Sequence, residues 1–216
     1  GRGLRKLLWK RLHLPRAVVH PALSAAKAAA NPAQVRLRRK LAGDCGAALD
    51  VPAEAGFRLF AGGDLPGTDV AVKACGEIYR ALRAQNRVGD HLFNPRKRFL
   101  LALLAGADFC AHPDLLRLMV SRPILDTATA YLGEIPILAG AALWWTPENA
   151  TAERSQLYHL DGEDERQLKL ILNVCETGEE HGPFTLLPAD VSAPLRRAGA
   201  QRRRISDAEV DATCGL

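Results

Sequence analysis

At Gly133 the periodicity of the chain changes, and that change limits the folds open to it. Before this point apolar residues recur at three- and four-residue intervals; after it they alternate in short runs. The first spacing places side chains on one face of a helix and the second places them on one face of a strand. Val70, Ala74, Ile78 and Leu82 form an i, i+4 ladder on a helix predicted to run to about residue 84, with Thr68 or Asp69 able to cap it. Residues 100–107 read as a short apolar helix ended near Gly106. Pro113 suits a helix start, with Leu115, Leu116, Met119 and Val120 on the buried side. A further helix is predicted over 123–132, with Gly133 as its C-cap. Beyond Gly133, strands are predicted at 135–145, 155–160, 168–174 and 184–187, separated by polar or Gly- and Pro-bearing turns. The Gly-rich stretch 51–67 is loop territory with room for a short strand at 57–60, and 207–210 reads as a short helix. Helices followed by strands indicate either an α+β chain or a mainly β, helix-decorated barrel.

With 216 residues, 48% hydrophobic and 25% charged, the chain suits one domain with a peripheral extension. Residues 1–50 form a basic helical extension and 51–216 the main domain. In the extension, Leu4, Leu7, Leu8 and Leu12 recur at helical spacing among Arg and Lys. That helix either docks on the domain or lies on a membrane surface with Trp9 as its interfacial anchor. The Ala-rich tract 24–30 is helix-prone, and Asn31-Pro32 breaks it.

The net charge of +5 is gathered into clusters at the start, at Arg36 to Lys40 and at Arg196 to Arg204. Solvated basic faces explain these better than nucleic-acid binding, because aromatics make up only 6% and none interleaves with the last cluster. Five irregularly spaced cysteines with no CxxC pair rule out a zinc ribbon and fit a reducing compartment. No uncharged run reaches the ~18–20 residues of a membrane span, and the N-terminal stretch makes a poor signal peptide, so cytoplasm is expected. The termini, Gly1 and Cys214-Gly215-Leu216, suggest a fragment.

One short motif has residue types and a spacing suited to metal chemistry. His159 and Asp161 are two residues apart at the end of a predicted strand, so they share a face, while Tyr158 and Leu160 face away. An imidazole nitrogen and a carboxylate oxygen on one face can fill two adjacent positions of one metal, and two His with one carboxylate make the facial triad of non-haem Fe(II) oxygenases. Around the motif stand Gln156-Leu157-Tyr158-His159-Leu160-Asp161, the apolar run from Gln167 to Val174, and Glu179-Glu180-His181-Gly182-Pro183-Phe184-Thr185-Leu186-Leu187-Pro188-Ala189.

This stretch, from about Gly133 to Asp190, resembles the core of the phytanoyl-CoA dioxygenase-like family. The resemblance implies a double-stranded β-helix, a jelly-roll barrel of the cupin kind, preceded by a helical N-terminal region. It also implies Fe(II) and 2-oxoglutarate, with O₂ as cosubstrate, and hydroxylation of a small organic or lipid-like substrate. His159 and Asp161 match two of the three iron ligands. The third, a His, and an Arg pairing with oxoglutarate lie on later strands in the family. No His follows His181 here, and His181 itself sits in a turn, so the third ligand is expected beyond Leu216. Lys169 and Asn173 share one face of the predicted strand 168–174 and are the candidate cofactor-binding residues. Lys169 either holds the oxoglutarate carboxylate inside the barrel or reaches water at its mouth. Gln156 is a candidate for contact behind the ligands. The competing readings are a catalytically incomplete dioxygenase-like binding or scaffold protein and, less favoured, a nucleic-acid-binding protein.

Overall fold

The computed structural model describes residues 16–46, 49–89, 97–161, 166–197 and 204–215. The leucine-rich segment with Trp9 therefore lies outside the described residues. Helix α1 spans Arg16–Ala30 and α2 Pro32–Ala42, broken where expected by Asn31 with Pro32 at the first helical position. Helix α3 (Thr68–Ala84) is followed by strand β1 (Leu101–Ala105) and a 3₁₀ turn, Gly106–Ala111. Helices α4 (Pro113–Met119) and α5 (Arg122–Leu132) come next, then strand β2 (Ala142–Trp145). Two further 3₁₀ turns, Arg154–Gln156 and Glu179–His181, precede α6 (Ala193–Arg197) and α7 (Asp207–Cys214).

This architecture overturns the expected jelly roll. Helices dominate the described residues, and their sheet is one antiparallel pair, β1 with β2. Leu101 lies opposite Trp145 and Ala105 opposite Ala142, with an irregularity between Ala102 and Leu104. Of the predicted strand 135–145 only the end forms, and 168–174 and 184–187 stay outside regular structure, as does 57–60. Alternation dictates which way side chains face, whereas a sheet also needs backbone partners, and 168–174 finds none among the described residues. The expected facing holds only at its end: Leu172 and Val174 pack on the core and Asn173 between them is exposed, whereas Leu168, Leu170 and Ile171 are all exposed.

Residues 101–105 form a strand where a helix was expected. Leu-Ala-Leu-Leu-Ala is helix-prone by composition, but a short apolar run buried on both faces suits either state, and pairing with β2 decides. Ala102, Leu103 and Leu104 are all buried. The helical expectations near this strand hold better. Pro113 and Pro123 sit in the first turns of α4 and α5, and Gly133 ends α5 in the left-handed conformation at φ 78°. At the start of α3 neither Thr68 nor Asp69 caps. Gly67 occupies the N-cap at φ 87°, and the Thr68 hydroxyl donates to the Leu65 carbonyl at 2.8 Å instead.

The main core gathers Ala71 and Cys75 of α3, Leu104 of β1, Phe109 of the 3₁₀ turn, and Leu115 and Leu118 of α4. The buried face of α3 is thus turned by one residue from the expected ladder, since Ala74 and Ile78 join the core but Val70 is exposed. A second, smaller cluster joins Leu195 of α6, Ile205 and Val210 of α7, with Tyr158 and Leu187 against it. The basic extension is tied to the domain. Arg38 of α2 pairs with Glu134 at 3.0 Å, and its Nε donates to the Ile135 carbonyl at 2.7 Å.

Candidate metal centre

The second core cluster holds the motif in place. Tyr158 exchanges two backbone hydrogen bonds with Ile205, its N–H donating to Ile205 at 3.1 Å and its carbonyl accepting from Ile205 N–H at 3.0 Å. The Tyr158 ring packs against the cluster of Leu195, Ile205 and Val210. The expected strand over 155–160 is replaced by the 3₁₀ turn Arg154–Gln156 and this single bridge. One bridge suffices to orient the next residue: with Tyr158 committed inward, the alternation sends His159 the other way.

His159 is half-buried, and its Nδ1 lies 2.8 Å from the Leu157 carbonyl. A carbonyl only accepts, so Nδ1 carries a proton and donates. Nε2 faces Asp161 Oδ1 at 3.5 Å and donates to it. The other Asp161 oxygen, Oδ2, accepts from the Lys169 ammonium. The structure thus brings together three of the four residues singled out in the sequence, and leaves Asn173 exposed on the segment that carries Lys169.

The His159 hydrogen bond is the chief influence holding the Asp161 carboxyl well below the usual carboxylate range. Partial burial opposes it, and Lys169 adds to the depression through its hydrogen bond and its charge. A depressed folded-state pKa contributes stability that is fully present above the unfolded value, about 3.9, and is lost as pH falls through the lower folded value. Urea titrations of wild type and Asp161→Asn between about pH 5 and pH 2 should therefore show the stability gap narrowing as acid is added. A gap that stays constant over this window would mean that Asp161 is not held in its charged form by these partners.

Other polar groups near the motif serve the chain itself. The Gln156 side chain belongs to a loop network, its Nε2 donating to Asn149 Oδ1 at 3.0 Å and its Oε1 accepting from Glu153 N–H at 3.2 Å. His181 closes its own turn, with Nδ1 accepting the Gly178 N–H at 2.9 Å. Sequence reasoning missed Arg166. Its guanidinium lies 5.0 Å above the Tyr131 ring and donates to the Tyr131 and Leu132 carbonyls, where α5 leaves its last acceptors open. That contact pins the chain to α5 between Asp161 and Lys169. A single Arg in a loop gives no periodic signal by which to find it.

As a donor set, His159 Nε2 and Asp161 Oδ1 fit two neighbouring positions on one metal. Bonds of about 2.1 Å to a common ion put adjacent donors about 3.0–3.5 Å apart. Among the described residues no group of three or more His, Cys, Asp and Glu side chains gathers. Among those same residues, no helix is long and apolar enough to cross a membrane. Comparison with protein-family models, with curated proteins and with solved structures finds no match.

Proposed function

We propose that this chain carries the His159 and Asp161 part of a ferrous site and serves an oxoglutarate-dependent oxygenase that hydroxylates a small organic or lipid-like substrate. One observation carries the reading: Nε2 of His159, with its other nitrogen engaged by Leu157, converges with Asp161 Oδ1 at 3.5 Å. The support is local to the site and its flanking sequence, and the overall architecture lends none. Bound Fe(II), with oxoglutarate and O₂, supplies the oxidising chemistry. The chain's own part is to hold and orient. With Nδ1 donating to the Leu157 carbonyl, as in metal-binding imidazoles, His159 would present Nε2 to the metal in place of its hydrogen bond to Asp161. Asp161 stays ionised and ready to ligate. Lys169 neutralises Asp161 and, with Asn173 as a second polar group on the same segment, would hold the carboxylate of oxoglutarate.

The test is iron-dependent conversion of oxoglutarate to succinate by the protein. In Lys169→Ala the KM for oxoglutarate should rise about tenfold or more, the size of a lost charge-assisted hydrogen bond. An unchanged KM removes Lys169 from the cosubstrate site. A second reading, a binding or scaffold protein without metal, is favoured by one observation: Asp161 is already satisfied by His159 and Lys169. Absence of both Fe(II) binding and succinate formation would establish that reading over the first.

A further inference from the structure

Helix α2 turns two different faces to its surroundings. Val35, Arg38 and Ala42 are half-buried toward the domain, where Arg38 meets Glu134 and Ile135. The opposite face carries two adjoining i, i+4 rows, Arg36 with Lys40 and Leu37 with Leu41. Both leucines are exposed, Leu37 at 55% and Leu41 at 43%. Neither Arg36 nor Lys40 has an acidic partner among the described residues. Arg39, at the side of the helix, only approaches Glu134 at 3.9 Å.

The surroundings reinforce this sign. The first acidic residue in the sequence is Asp44, and every charged residue before it is Lys or Arg. Helix α1 ends in Ala-Ala-Lys-Ala-Ala-Ala, which is small, largely exposed and without negative charge. Leucine favours helix, but Lys, Gln or Glu would serve a solvated helix about equally well without exposing apolar surface. A surface that is anionic above and apolar just beneath rewards both rows.

We propose that the outward face of α2 docks on anionic membrane lipid, with Arg36 and Lys40 at the phosphate level and Leu37 and Leu41 entering the headgroup–acyl boundary. RNA offers the phosphates but has no place for the leucines, since its sequence-tolerant binding relies on aromatic stacking, and α2 has no aromatic residue. The helix lies on the surface and does not span. This would hold the domain at a bilayer whatever chemistry its metal motif performs.

Cosedimentation of the full chain with phosphatidylcholine vesicles, with and without roughly 30% phosphatidylserine, tests the assignment. Binding is expected only with the anionic lipid and should fall as ionic strength rises from about 0.1 to about 0.5 M. Arg36→Gln with Lys40→Gln should weaken binding about fivefold for each charge removed. Leu37→Ser with Leu41→Ser, which leaves every charge in place, should weaken it about tenfold. All four side chains are exposed, so far-UV circular dichroism should be unchanged in both double variants. The proposal is overturned if the wild type stays in the supernatant, or if either double variant binds like the wild type. Preference for single-stranded RNA over anionic vesicles at equal phosphate concentration overturns it as well.

Discussion

On the proposed oxygenase reading, replacing His159 with Ala is expected to lower iron-dependent turnover of oxoglutarate by at least about 100-fold while leaving the protein folded. Changing a residue that merely supports a ligand costs about 10–100-fold in metal affinity or activity, so losing a ligand itself sets that range as a floor. The ring lies outside the hydrophobic cluster that Tyr158 joins. The backbone that positions residue 159 is held by the paired hydrogen bonds between Tyr158 and Ile205, which an Ala at 159 leaves intact. Two readouts separate a lost ligand from a lost fold: Fe(II) affinity, which should collapse, and the urea transition, which should stay cooperative with its midpoint lowered only by the lost contact to Asp161. A variant that binds Fe(II) like the wild type would exclude His159 as a ligand and with it the proposed site.

The largest effect on stability is expected from Phe109→Ala, a loss of about 3–5 kcal/mol read by urea or thermal denaturation. Phe109 is 5% exposed and lies where three elements meet: α3 through Ala71 and Cys75, β1 through Leu104, and α4 through Leu115 and Leu118. Removing the ring leaves a cavity that three separately anchored elements cannot readily collapse into. Against a total stability of about 5–15 kcal/mol for a domain, such a loss leaves the fold marginal. The damage should reach the metal motif, because Leu172 and Val174 rest on the same core and continue the segment that carries Lys169. Val70→Ala on the exposed face of α3 is the contrasting control and should shift stability by under about 0.5 kcal/mol. Equal effects from the two substitutions would show that the core does not centre on Phe109.

What could be read in the sequence was local. Pro113, Pro123 and Gly133 mark helix ends because a ring that fixes φ, or a residue free to take positive φ, acts within one turn of itself. His159 and Asp161 could be paired on paper because two residues of extended chain return a side chain to the same face. The same alternation set Leu172 apart from Lys169 and Asn173, but Leu168 and Leu170, which it groups with Leu172, are exposed. Tertiary structure decided everything that depends on a distant partner. It turned 101–105 from an expected helix into a strand by placing 142–145 alongside, and it left 168–174 without strand neighbours among the described residues. It also chose Ile205 to hold Tyr158, Arg166 to anchor the loop on α5, and Lys169 to neutralise Asp161. Facing is a property of one backbone segment, and so is written in consecutive residues. Pairing is a property of two segments, and the free energy that selects the partner is shared by residues that no local pattern connects.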